Sequence, residues 1–173
     1  AEFLKMAMDS LGIVGHAYRD GECLDATNDD WYCYYLQGAL DKDIIPEEMI
    51  EDCDFTNVTK TLKESTEKEK AVRANVNVYT GKFYGDKPIT REEMAVIATR
   101  CKNYKMRNWR DWDNERRIPV FSFKDSDEID EKYISYVVHA YNLKYIDGME
   151  DGRFAPKENL TRAQAAVVMN NLK

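Results

Sequence analysis

The sequence predicts an all-α fold, a pseudo-threefold bundle of helix–loop–helix repeats, and three observations carry that prediction. First, Thr80–Ile97 (TGKFYGDKPITREEMAVI) overlays Asp151–Val168 (DGRFAPKENLTRAQAAVV) without a gap, which sets Gly81 on Gly152, Phe83 on Phe154, Thr90 on Thr161, Arg91 on Arg162 and Glu93 on Gln164. Second, LDATNDDWYCYYLQGALDKDII resembles KDSDEIDEKYISYVVHAYNLKYI at the cost of one gap, with Asp25 near Asp125, Ala39 on Ala140 and Ile45 on Ile146. Third, the opening AEFLKMAM overlays AQAAVVMN from Ala163 onward, a register in which Thr and Arg would stand just before Ala1. Repeats that each expose one apolar face bury those faces against one another.

The elements follow in chain order. Phe3, Leu4, Ala7, Met8 and Leu11 recur at helical spacing and Gly12 follows as a stop, so residues 2–11 read as helix. Gly15 to Thr27 reads as turn and loop. Asp29 or Asp30 caps a second helix from Trp31 to about Leu40, with Cys33, Leu36 and Leu40 as its core stripe. Pro46 with Glu47 and Glu48 opens a short helical turn. The segment 51–79 supports two readings. Thr66 with Glu69 is a capping box that favours a helix ending near Asn75, whereas Ala74, Val76 and Val78 alternate with Asn75 and Asn77 at strand periodicity. The helix is the favoured reading.

Met94 to Tyr104 reads as helix. The charged stretch RNWRDWDNERR then reads as a linker whose indoles, Trp109 and Trp112, cover a core edge; stacking on bases or sugar rings is the alternative. Ile118 to Phe123 looks extended. Glu131 to Tyr141 is a helix with Ile134, Val137, Val138 and Tyr141 on one stripe. The equated helices 1–11, 94–104 and 163–172 should meet around one axis, with Ala7, Ala98 and Val167 inward. The apolar stripe of the first needs a cover. Either 51–79 folds back over it or a separate polypeptide donates a helix, and the second is favoured because TLKESTEKEKAVRANVNVY holds few large apolar residues.

The chemistry concentrates at the repeated helix start. Thr161 followed three residues on by Gln164 is a capping box, and Thr90 with Glu93 repeats it. Arg162 and Arg91 place a cation in the first helical turn, against the macrodipole, unless something negative comes to it. Free amides beside a guanidinium suit a carboxylate or phosphate. The plainer alternative is a surface arginine paired with a nearby glutamate.

Composition excludes several classes. At 173 residues with 43% apolar content the chain can hold a substantial core, and its net charge of −7 argues against nucleic acid and anionic membranes. An anionic ligand must therefore be attracted locally, at Arg91 and Arg162. No apolar run approaches the roughly 18–20 residues of a spanning helix. Cys23, Cys33, Cys53 and Cys101 show no CxxC spacing, so zinc is not expected, and Cys33 reads as a buried free thiol. His16 and His139 assemble no catalytic constellation, and no phosphate- or dinucleotide-binding loop is present, so neither enzyme activity nor a cofactor is expected. Asp147, Asp151, Gly152 and Glu158 occupy positions of a calcium loop, but Met149, Ala155 and Pro156 break it. No metal site is expected.

The run Tyr-Ile-Asp-Gly, then Asp-Gly-Arg-Phe-x-Pro and Leu-Thr-Arg-Ala-Gln, resembles the S-layer homology motif. On that resemblance, 1–22 holds the second helix of a first motif, 23–104 a second motif with an insertion at about 51–79, 105–122 a linker, and 123–173 a third motif. From Ile45 to Thr90 there are 45 positions against 15 from Ile146 to Thr161, and Gly85 replaces the proline. The resemblance implies a non-catalytic module at the bacterial cell surface. It would bind an acidic, pyruvylated-type secondary cell-wall polysaccharide in grooves between motifs, with neighbouring surface-layer chains as further partners. It also implies the site: Arg91 and Arg162 for the carboxylate, Thr90 and Thr161 at the helix starts, Asp25 and Asp125 orienting arginine or accepting sugar hydroxyls, and Trp31 and Gly152 at the glycan. The alternative is an assembly module that uses the same fold for protein contacts.

Overall fold

The computed structural model describes residues 1–18, 25–61, 73–106 and 123–173. Five helices dominate it: α1 (Glu2–Ser10), α2 (Cys33–Asp41), α3 (Arg91–Met106), α4 (Glu131–Asn142) and α5 (Arg162–Leu172), with short 3₁₀ turns at Glu47–Met49 and Ser126–Glu128. Strands β1 (Glu51–Thr61) and β2 (Arg73–Lys82) pair antiparallel as a two-stranded sheet. The fold is therefore mostly helical, and the favoured helix over 67–75 gives way to a strand from Arg73 onward. Period-two alternation and β-branched valines set that outcome. The register pairs Val58 with Val76 and Thr56 with Val78. The Thr66–Glu69 capping box, Cys23, Trp109, Trp112 and the extended segment 118–122 lie outside the described residues, as does most of the linker.

The helices equated by the internal repeat touch pairwise: α1 packs on α3 and on α5, and α3 packs on α5. Phe3, Leu4, Ala7, Met8 and Leu11 are all buried, so the stripe on α1 is covered by helices of this chain. The expectation of a donated helix is corrected accordingly, since α2 as well as α3 and α5 lies against α1. Two side-chain placements also differ. Val167 is 56% exposed, because the repeat register itself sets Met169, not Val167, on Ala7 and Ala98, and those three are buried. Ile134 is 37% exposed, since α4 turns Tyr133 inward instead and its hydroxyl donates to the Glu48 carbonyl at 3.1 Å. Cys33 is buried with its Sγ donating to the Thr27 carbonyl, and Cys101 is a buried free thiol that burial pushes well above its ordinary range.

The repeat is written in the backbone as well as in the sequence. After α2 the Ile44 N–H donates to Ala39 at 2.7 Å, and after α4 the Tyr145 N–H donates to Ala140 at 2.8 Å. The residue between is left-handed in both places, Asp43 at φ 53° and Lys144 at φ 62°. The loops before α3 and α5 share a second left-handed residue, Tyr84 at φ 52° and Ala155 at φ 58°. A carboxylate holds each of these loops. Asp25 accepts the N–H groups of Phe83 and Tyr84 at 2.8 and 2.5 Å, and Asp125 accepts those of Phe154 and Ala155 at 2.8 and 2.7 Å. A carboxylate that takes two adjacent amides, one on each oxygen, offsets the cost of turning a non-glycine residue left-handed.

Asp125 is buried whereas Asp25 is only half-buried, so the two clamps should differ in strength. Asp125→Ala leaves two buried donors without an acceptor and should cost about 2–4 kcal/mol in urea denaturation. Asp25→Ala should cost less in the same measurement, because water reaches the freed amides. Equal losses would show that burial does not set the strength of the clamp.

Candidate functional site

Both Thr–Arg helix starts are built as capping boxes. At α5, the Gln164 N–H donates to Thr161 Oγ1 at 3.2 Å and the Thr161 N–H to Gln164 Oε1 at 3.0 Å. At α3, the Glu93 N–H donates to Thr90 Oγ1 at 3.3 Å and the Thr90 N–H to Glu93 Oε2 at 2.8 Å. The local geometry is the same. What lies in front of it is not.

Arg91 is 4% exposed. Its Nε donates to the Phe154 carbonyl at 2.7 Å and its Nη2 to the Asp147 carbonyl at 3.0 Å, with the guanidinium 5.0 Å from the Phe154 ring centre. The first free amides of α3 are taken too, since the Arg91 N–H donates to Glu158 at 3.0 Å and the Glu92 N–H to Pro156 at 3.1 Å. Burial pulls the Arg91 pKa down against the opposing charges of Glu158 and Asp125, yet a guanidinium stays protonated at any ordinary pH. Carbonyls of the 147–158 loop thus occupy the place where an anion would sit at α3.

Arg162 is open, its side chain 88% exposed and its Nη2 donating to Glu2 Oε1 at 3.1 Å. Thr161 and Ala163 beside it are exposed. Asp25 and Asp125 hold loops rather than arginines. Trp31 is 52% exposed, edge-on to Tyr32 with ring centres 5.7 Å apart. Gly152 is left-handed at φ 86°, and its carbonyl accepts the Lys124 N–H at 3.1 Å. The broken calcium loop is closed by the protein itself: the Arg153 N–H donates to Asp151 Oδ1 at 3.0 Å and its Nε to Oδ2 at 2.8 Å, which hold the Asp151 carboxyl below its usual range, while its Nη1 donates to Glu158 Oε1 at 3.3 Å. Among the described residues no group of His, Cys, Asp and Glu could hold a metal ion, and no helix is long and apolar enough to cross a membrane.

A cleft of about 330 Å³ opens beside the start of α1, one residue from the Glu2 that meets Arg162. Ala1 and Phe3 form one side, the loop with Tyr84 and Lys87 another, and Lys132 and Tyr133 of α4 a third. Lys82 also lines it, as do the carboxylates of Glu48, Glu51 and Glu93. Lys82, Lys87 and Lys132 escaped the sequence reading because no local pattern joins them. The one available signal is the repeat register, which puts Lys132 where the second copy has Trp31. Cations, hydroxyls and exposed rings around such a cleft can hold a polar, ring-shaped ligand.

Arg91 and Arg162 should separate in stability. Arg91→Ala removes two buried hydrogen bonds and a ring contact and should cost about 3–5 kcal/mol in chemical denaturation. Arg162→Ala should stay within about 0.5 kcal/mol of the parent. Similar losses for both would mean that the two helix starts are equivalent after all.

Comparison with known proteins matches the S-layer homology domain at residues 76–95 and 122–166. The chain is 31% identical to the exoglucanase XynX of Acetivibrio thermocellus across 99% of its own length and 12% of that protein. It is 29% identical to an amylopullulanase of Thermoanaerobacterium thermosulfurigenes across 99% of itself and 7% of that protein. It is 34% identical to an endoglucanase of Bacillus sp. (strain KSM-635) across 65% of itself and 12% of that protein. The chain therefore spans a tenth or so of the length of these relatives. No solved structure matches it. Both Thr–Arg helix starts fall inside these matched residues, so residues 76–95 and 122–166 are S-layer homology sequence, the sequence of cell-surface, wall-anchoring modules.

Proposed function

We propose that this chain is a non-catalytic anchoring module that binds an acidic, pyruvylated-type secondary cell-wall polysaccharide and so attaches a surface protein to the bacterial envelope. Its three copies form a pseudo-threefold bundle. In support, the Ala1 N–H donates to Gly85 at 2.6 Å as the Glu92 N–H donates to Pro156 at 3.1 Å, and the repeat register equates both donors and both acceptors. The observation that carries the ligand reading is Arg162, a guanidinium exposed on a capped helix start and paired with Glu2, whose chain neighbours Ala1 and Phe3 line the cleft. Arg162 takes the acidic group of the glycan, and the cleft takes the adjoining sugars against Tyr84 and Lys87. Trp31 offers an exposed ring, while Thr90, Thr161, Asp25, Asp125 and Gly152 fix the helix starts and loops. Arg91 serves the site from within, by fixing the 147–158 loop.

The acidic wall glycan of the source cell, immobilised and titrated with the chain, tests this. Arg162→Ala should weaken binding by about 1.5–3 kcal/mol, the scale of a charge-assisted hydrogen bond, without moving thermal stability. Arg162→Lys should recover part of the loss, since it keeps the charge but not the planar fork. Unchanged affinity of Arg162→Ala would defeat the assignment. Absence of any binding by the parent chain would instead favour the assembly reading.

A further inference from the structure

The repeat register exposes one substitution that the fold makes structural. Glu92 stands where the other two copies carry alanine, Ala1 and Ala163. It is a carboxylate only 3% exposed, and two hydrogen bonds satisfy it, one on each oxygen. Its Oε2 accepts the Asp130 N–H at 3.1 Å and its Oε1 accepts Lys157 Nζ at 2.6 Å, while Lys157 reaches Asp130 Oδ1 at 2.7 Å. Three elements are thereby tied at one point: the start of α3, the cap of α4 and the 147–158 loop. The tied end of α4 is the end that carries Lys132 and Tyr133 to the cleft, where both donate to the Glu48 carbonyl, at 3.2 and 3.1 Å.

We propose that Glu92, Lys157 and Asp130 form an acid-released interlock that positions the α4 wall of the cleft, with Glu92 as its positioning residue. A buried carboxylate with an ammonium partner holds its geometry only while the carboxylate is charged. Without charge on these carboxylates Lys157 has no counterion, and its half-exposed side chain turns to water. The other charges around Glu92 do not replace it. Arg91 faces the Phe154 and Asp147 carbonyls, Lys132 faces Glu48, and Glu93 returns to Thr90. Glu158 is held by Arg153, and Tyr133 stays neutral because burial raises its pKa. The hydrogen bond from Lys157 holds the Asp130 carboxyl below its ordinary value. A depressed pKa in the fold means that this contribution is present above the ordinary carboxylate range, about pH 4, and is lost as pH falls through the folded value.

Amide hydrogen exchange on the whole chain tests the interlock, with each rate corrected for its intrinsic pH dependence and the α5 amides as internal reference. In the parent chain, protection at residues 130–134 should fall about tenfold as pH drops from about 4 to about 2, through a folded Asp130 value below the ordinary range, while α5 keeps its own. Glu92→Gln keeps an acceptor but no charge, and it should show the reduced protection already at pH 7. Should that variant fail to fold, Lys157→Met removes only the half-exposed ammonium and should give the same result. Parent-like protection and pH response in a folded variant would overturn the proposal, as would loss of α5 protection in step with α4. The role at the cleft rests on the glycan-binding reading, but the exchange measurement does not. A parent chain that shows the release without binding wall glycan would therefore discard that reading alone.

Discussion

A buried guanidinium joins the second copy to the third, and much else follows from it. Arg91 gives up water for two carbonyls and the face of Phe154. An arginine is rarely buried unless each of its donors is met, so the carbonyls of Phe154 and Asp147 must point inward. They do so because Ala155 is left-handed and because Asp125 grips its amide and that of Phe154 before it. The same loop then presents its Pro156 and Glu158 carbonyls to the open amides of α3. Loop and helix start satisfy one another, and neither has a comparable partner if the other moves.

Legibility in the sequence tracks the range of the interaction. The capping boxes at α3 and α5, the stop after α1 and the helical turn at Glu47 depend on neighbours a few residues away, and each stands where the sequence places it. The strand at Arg73–Lys82 is equally local, written in alternating valines, but the Thr66–Glu69 pattern upstream points the same sequence toward helix. Ile134 and Val167 failed for another reason. Both helices carry apolar residues on adjacent faces, so periodicity alone leaves the inward face uncertain by one position. Tyr133 won its place through a hydroxyl partner in another element, which no window of α4 contains.

The two arginines mark where local sequence stops being informative. Phe-x-x-x-x-x-(Ile/Leu)-Thr-Arg is common to both, and so are the caps, yet one side chain is buried and the other is almost free. The difference lies in the segment facing each helix start, which is remote in the chain. Lys82, Lys87 and Lys132 were hidden for the same reason: they reach one cleft from a strand end, a loop and a helix. With carboxylates among them and −7 on the whole chain, their pull on an anion is short-ranged. Contacts inside about a Debye length decide such binding, and added salt should weaken it.

Repeats whose copies contact mainly their neighbours allow each interface to change without redesigning the rest. The chain shows this at equivalent positions. Where α1 meets the second loop, the helix begins with Ala1 and the loop carries Asp86; where α3 meets the third loop, the helix carries Glu92 and the loop Lys157. Only the latter pair draws in Asp130 and so reaches α4. An alanine at that point would leave the helix start capped and Arg91 bonded, but it would leave the cap of α4 without its carboxylate acceptor. The fold therefore needs the guanidinium, while the position of the cleft wall needs the carboxylate beside it, and adjacent residues on one helical turn serve two separable ends.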